Sequence, residues 1–461
     1  MHVHVEPALD RWQLAERESS DRCGLTKTGA PESGDAPFPT LTDTRRLIAT
    51  GHQPGLWHPG ILVKDIAAAE AASRLEAEAF HVVVDQDVMD EFVLELPVRE
   101  GRMLRVERLV LGKIEPHVAT CCQPAIDANR IADRLQDIAD QLGPALAADV
   151  TPLIEGFRDL PSCPSLARQF TLLLCRLRQP ATAVLPMIFA SDLARTDLFK
   201  DLVQGMLEDA PRCAEAYNQA VATHPEAGIA PLRIEPSRVE LPLWALEWEQ
   251  PRQRVFAQSG DRSPRLTLNA GRPIENENLL LAPRALLLTG FLRQSLCDLF
   301  IHGTGGAIYD LAGEQWFAAW RGETLAPMAM VTADLHLTFD VPVADRSELA
   351  AAQWWHHHLP HNLDRALELD GDIVDTKRAL LKEMDMDQNR VRRRIAFDEI
   401  HAINDELGQR YPALLGQAQR RLEDARGGVR NRRVTQKRDW CFALYPTDQL
   451  HLLSRRLETA S

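Results

Sequence analysis

The stretch from residue 46 to residue 84 constrains the fold more than any other. Residues 46–50 (RLIAT) read as a buried strand, and the turn-rich GHQPGLWHPG follows. Residues 61–78 carry apolar side chains at helical spacing, and 80–84 (FHVVV) is a β-branched run. Strand, loop, helix and strand in this order make a βαβ unit. Two antiparallel strands need only a tight turn between them, whereas a parallel return needs a crossover, usually a helix. An α/β fold with a parallel sheet is therefore expected.

The rest of the chain extends this pattern. Residues 92–110 read as short strands. Residues 124–220 are mostly helical, broken at 184–189 (VLPMIF) by a return to the sheet. Residues 231–268 are β-rich, and ELPLWALEW and RQRVFAQ suggest a hairpin. A helix over 284–293, a strand over 296–302, a GTGG loop, a helix over 307–321 and a strand over 328–337 follow. From Ser347 the chain is helical and highly charged. Ile400, Ile403, Leu407, Tyr411, Leu414, Ala418, Leu422 and Ala425 recur at steps of three and four, the seam of an amphipathic helix or coiled coil that Gly427 and Gly428 end. Residues 440–445 add a strand or dock on the core. The expected organisation is a mobile tail over 1–40 with at most a short helix near 9–16, and a core over 41–345 with a helical and β insertion at about 111–275. A helical hairpin or coiled coil over 346–430 and a docking segment over 431–461 complete it.

Charge and cysteines exclude several functions. The net charge of −14 argues against wholesale nucleic-acid binding, which needs clustered Lys and Arg. The basic run over 420–438 reads as the solvated end of a helix. Eight cysteines without a CxxC pair fit reduced thiols in a cytoplasmic compartment better than zinc ligands. His356, His357, His358 and His361 lack a Cys or carboxylate partner at ligand spacing, so no metal site is expected there. No signal peptide and no run of about 20 apolar residues is present, so no membrane partner is expected.

Three segments carry candidate chemistry. The first, residues 50–60, follows a parallel strand and opens a helix. There Gly51 and Gly55 let a backbone approach a phosphate, Gln53 adds a polar side chain, and His52 and His58 can donate to phosphate oxygens. The second is Asp85-Gln86-Asp87 with Asp90 and Glu91, at the next strand's end, where carboxylates can hold a ribose, an amine or Mg²⁺. Asp residues also cap turns. The third, residues 300–310, includes Gly303, Gly305, Gly306 and Tyr309, and its amides can form an anion-binding nest.

Four segments, in order, resemble the cysteine-adding enzyme family of bacillithiol synthesis, the family of its cysteine ligase. They are TGHQPGLWHPGILVK, HVVVDQDVMDEF, ELPLWALEWEQPRQRVFAQ and PRALLLTGFLRQSLCDLFIHGTGGAIYD. The likeness spans about residues 46–430, and the long helical region matches that family's coiled coil in kind. It implies a Rossmann-like core of the nucleotidyl-transferase type and homodimers formed through the helical arm. It also implies a pocket with Gly51, His52, Gly55, Asp85 and Asp87 on one wall and Gly303, Gly305, Gly306 and Tyr309 on the other. Three departures stand out. His52 replaces a Gln, Gln86 replaces a His between the acids, and Gly306-Ala307 replaces Pro-Gly.

The reading is a nucleotide-linked ligase or transferase in which ATP or ADP with Mg²⁺ binds the small-molecule site. His52, Asp85 and Asp87 act in catalysis. Gly51, Gln53, Gly55, His58, Gly303, Gly305, Gly306 and Tyr309 hold the nucleotide. The rival reading is a non-catalytic nucleotide-binding or dimeric scaffold on the same fold.

Overall fold

The computed structural model describes residues 2–15, 46–179, 182–259, 264–274 and 279–459. Its strands run β1 (His2–Glu6), β2 (Leu47–His52), β3 (Glu78–Val83), β4 (Phe92–Glu100), β5 (Met103–Gly112), β6 (Met187–Phe189) and β7 (Ile234–Glu235). Then come β8 (Arg238–Leu246), β9 (Gln253–Gln258), β10 (Arg265–Leu268), β11 (Leu280–Pro283), β12 (Leu299–His302) and β13 (Met328–Asp334). The fold is mixed α/β, and many helices surround a largely parallel sheet.

That sheet has the order β1-β13-β12-β2-β3-β6. β13, β12, β2, β3 and β6 are parallel, and β1 alone runs antiparallel, pairing His2 with Asp334 through Glu6 with Met330. Leu47, Ile48, Ala49 and Thr50 of β2 are all buried. A central strand covered on both faces reads as a continuous apolar run, which is why this segment shows no alternation. After β2 the chain moves to β3 and β6 on one side, and later returns to β12 and β13 on the other. The direction of winding reverses between β2 and β12. At such a point the loops leaving the two strand ends diverge and leave a crevice.

The helix Pro59–Arg74 makes the crossover. His58 caps it, its Nδ1 accepting the Gly60 N–H at 3.1 Å, and Pro59 suits a first helical position. Ile61, Leu62, Val63, Ile66, Ala67, Ala68 and Ala71 are buried, so this helix is apolar around most of its circumference. It packs on β13, β2 and β3, and the last helix, Thr447–Thr459, packs on it and on β1.

A second sheet, β10-β9-β8-β11 with β7 on β8, is antiparallel, and β8–β9 is the expected hairpin. It shares a large core with the helices Asp197–Glu208, Ala210–Thr223 and Thr304–Arg321, around Tyr217, Trp316 and Phe317.

Several expectations are corrected. Residues 2–6, read as part of a mobile tail, form an edge strand, and Leu9–Arg11 form a short 3₁₀ turn instead of a helix over 9–16. The remainder of that tail, residues 16–40, lies outside the described residues. GTGG is not a loop, because Thr304, Gly305 and Gly306 already belong to the helix Thr304–Arg321. Gly427 and Gly428 do not end a helix but lie inside Pro412–Thr435. A Cβ on Gly428 would sit 2.6 Å from the Ala344 nitrogen, so close backbone approach explains that glycine. The seam is also not one helix. Arg390–Arg410 ends at Tyr411, and Pro412 starts the next.

The chain divides into two compact units, one of residues 1–96, 108–336 and 438–461, the other of residues 97–107 and 337–437. In the second unit the seam is covered by the chain itself. Leu407 and Ala418 pack with Leu359 and Leu363, and Leu422 and Ala425 pack with Ala344 and Ala352. Residues 97–107 join this unit through fully buried Asn431, whose Oδ1 accepts the Leu104 N–H at 2.7 Å and whose Nδ2 donates to Arg102 and Pro342 carbonyls.

Candidate functional site

A cavity of about 520 Å³ opens at the carboxyl ends of β2, β3 and β12. Gly51, His52, Gln53, His58 and Asp87 line one side, and Gly303, Gly305, Gly306 and Tyr309 another. The fold thus brings nine of the eleven anticipated residues to one space, and each arrives there for a local reason.

Gly51 closes β2 where a Cβ would lie 2.8 Å from the Val82 carbonyl oxygen, too close for any side chain. Its own carbonyl accepts the Lys64 ammonium at 2.6 Å. Gly306 sits in the first turn of its helix, where a Cβ would meet His302 Nδ1 at 2.4 Å. These two glycines are dictated by close approach. Gly305 has no atom within 4 Å of a Cβ position and faces open space.

The two loop histidines have fewer donors to offer a phosphate than expected. Burial, with Lys64 adding to it, pushes His52 down to about 3, so its ring is neutral at pH 7. Its Nδ1 lies 3.1 Å from the Gln53 carbonyl. Only an N–H can bond there, which leaves Nε2 as the acceptor. His58 spends Nδ1 on capping its helix.

Asp87 takes the Gln53 amide at 2.5 Å, the Val88 N–H at 2.9 Å and an ion pair from Arg252. Arg252 and Arg284 both lie against the Trp244 ring, 4.2 and 4.7 Å from its centroid. Arg284 lines the cavity and is held by buried Glu240, which also takes both contacts of Arg254.

Two anticipated residues fall outside. Asp85 does not line the cavity. Its carboxylate is buried against Ser191, accepting both its N–H, at 2.8 Å, and its hydroxyl. Burial pushes it up to about 7 despite those bonds. Its side chain points away because Ser191, at the start of the helix Ala190–Leu193, offers two donors that water would otherwise have to supply. Gly55 also lies outside the lining, with Met89 Cε 3.5 Å from its Cβ position.

Sequence reasoning missed Lys64, and it placed Gln86 and His302 inside candidate segments without giving either a role. Lys64 is 3% exposed and lines the cavity. Burial lowers it to about 8. The neighbouring carboxylate, Asp65, is already engaged. It accepts from His81 at 2.9 Å and pairs with Arg178 at 2.8 Å, and these partners outweigh its burial and hold it at about 2. Lys64 therefore faces the cavity with a backbone carbonyl as its bonded partner. Gln86 is 4% exposed, lines the same wall, and its Oε1 has no hydrogen-bond partner among the described residues. His302, at the end of β12, places Nε2 2.7 Å from Asp310. Asp310 in turn accepts from Thr289 at 2.7 Å and Arg293 at 2.6 Å. His302 and these partners overcome the effect of burial and keep Asp310 at about 2. A signal for His302 existed: a His at a strand end with an Asp two helical turns into the following helix. Lys64 carries no such signal, being one of several polar residues on a largely apolar helix.

Among the described residues no group of three or more His, Cys, Asp or Glu is arranged to hold a metal ion, and no helix is long and apolar enough to cross a membrane. The wall holds one buried lysine, one buried amide, an arginine, three imidazoles, the Asp87 carboxylate paired with Arg252, and a helix N-terminus. That set suits an anion with donor groups attached. No protein-family model and no curated protein matches the chain.

Proposed function

We propose that the chain is a cytoplasmic, nucleotide-linked ligase or transferase on a Rossmann-like core. It would join an amine of the cysteine type to a small carboxylate or a sugar-derived acceptor. One observation carries this reading. Lys64 is buried in the cavity wall that it shares with the first turn of the helix Thr304–Arg321, and among the described residues no carboxylate pairs with it directly. A buried ammonium needs a counter-charge, and a helix N-terminus also favours an anion. A phosphate answers both. The winding reversal between β2 and β12 is where open α/β sheets bind nucleotides.

The remaining groups suit the second half of such a reaction. The unpaired Gln86 oxygen would accept from an incoming amine. His302, whose Nε2 is held by Asp310, would turn Nδ1 toward the reacting groups and could relay a proton there. Arg284 would bind a carboxylate. Mg²⁺ would enter on nucleotide phosphates, holding few protein ligands. The ordered likeness to the cysteine-adding enzymes of bacillithiol synthesis points to the same chemistry. Pairing of two copies through the helical region belongs to the same proposal.

Calorimetric titration with ATP and ADP, with and without Mg²⁺, tests it on wild type, Lys64→Met and His52→Ala. Micromolar binding that weakens at least about tenfold in Lys64→Met is expected, since a hydrogen bond to a charged group contributes about 1.5–3 kcal/mol. Absence of binding by wild type overturns the reading in favour of a scaffold.

A further inference from the structure

Outside the cavity lining, the 3₁₀ turn Thr120–Cys122 brings two adjacent thiols together, with Cys121 Sγ and Cys122 Sγ 3.7 Å apart. Neighbouring side chains on a strand point to opposite faces; the turn aims this pair the same way. Its backbone is tied to the loop that carries Asp87. Thr120 N–H donates to the Asp87 carbonyl at 3.0 Å, and Cys121 N–H donates to the Asp85 carbonyl at 2.9 Å. The Thr120 hydroxyl also donates to the Asp85 carbonyl, at 2.9 Å.

We propose that Cys121 and Cys122 form an oxidation site at which hydrogen peroxide closes a vicinal disulfide, and that closure loosens the Asp85–Asp87 loop. The half-buried Cys121 and buried Cys122 differ in role. With the Cys121 thiol as donor, their 3.7 Å contact favours the Cys122 thiolate, and Arg195 adds to this against burial and Asp85. Cys122 Sγ attacks one peroxide oxygen, the O–O bond breaks, and water leaves with a sulfenic acid on Cys122. Cys121 Sγ then attacks the Cys122 sulfur, the S–O bond breaks, and a second water leaves. Two thiols are oxidised and one peroxide is reduced to two waters. Disulfides usually join Cα atoms about 4.4–6.8 Å apart, whereas adjacent Cα atoms are about 3.8 Å apart. The peptide between the two cysteines must therefore rotate, and it belongs to the turn whose amides hold the loop. A bond formed under such strain is easily reduced, so the change is reversible.

The inference does not rest on nucleotide binding. Full-length protein is treated with hydrogen peroxide, alkylated and cut with trypsin. The peptide of residues 114–130 contains both cysteines and no other. It is expected unalkylated and lighter by two hydrogens, and dithiothreitol restores alkylation. Amide exchange over residues 84–92 rises about tenfold on oxidation, and Cys121→Ser abolishes that rise. A doubly alkylated peptide, sulfinic acid as the product, or a disulfide with unchanged exchange over 84–92 in wild type overturns the proposal.

Discussion

Lys64 shows how one residue couples stability to binding. A lysine in water titrates near 10.4, and here burial lowers it to about 8. Between those values the unfolded chain binds more protons than the native one, so stability rises with pH across that window. Below pH 8 the buried ammonium costs about 3 kcal/mol. Lys64→Met is therefore expected to melt at a higher temperature than wild type at pH 7 while losing ATP binding, and the gain should shrink toward pH 10. A lower melting temperature at pH 7 would show that the ammonium stabilises the fold. Asp85 behaves as the mirror case. Its carboxyl is raised to about 7, so native protein holds a proton that the unfolded chain releases, and stability falls from about pH 4 to 7. The melting temperature of Asp85→Asn relative to wild type should climb over that range. Its affinity for ATP should match wild type, because Asp85 faces Ser191 and not the cavity.

At the scale of elements, β1 is the part whose role differs most from expectation. It covers the edge of β13 through five paired residues, and Val3 is buried. An uncovered edge offers unpaired amides to other chains. Deleting residues 1–8 is expected to lower the melting temperature by several degrees and to promote aggregation, seen by light scattering on heating. A true tail would give no change. The helix Thr304–Arg321 teaches the opposite lesson. Its N-terminal glycines read as a loop because glycine disfavours helices, yet contact with His302 outweighs propensity at Gly306.

At the scale of the whole molecule, the core around Tyr217 and Trp316 belongs to one unit, and the clusters at Leu359 and Ala352 belong to the other. Separate cores permit separate melting. Scanning calorimetry is expected to give a calorimetric enthalpy above the van't Hoff value. A single transition with equal enthalpies would mean that the units unfold as one.

The βαβ unit at residues 46–84 was legible in the chain itself, because buried parallel strands and a crossover helix impose distinct hydrophobic periods. So were the β8–β9 hairpin and the strand ends at or beside which Gly51, His52 and Asp87 lie. Other features depended on neighbours far away in sequence. Whether Asp85 faces a cavity is decided by Ser191, and whether His52 is charged is decided by its burial and Lys64. The pairing of β1 is decided by β13, some 330 residues later. Local periodicity reports which side of an element is apolar. Which polar group is left short of partners depends on every element packed around it: Lys64 keeps a backbone carbonyl, and the Gln86 oxygen has no hydrogen-bond partner among the described residues.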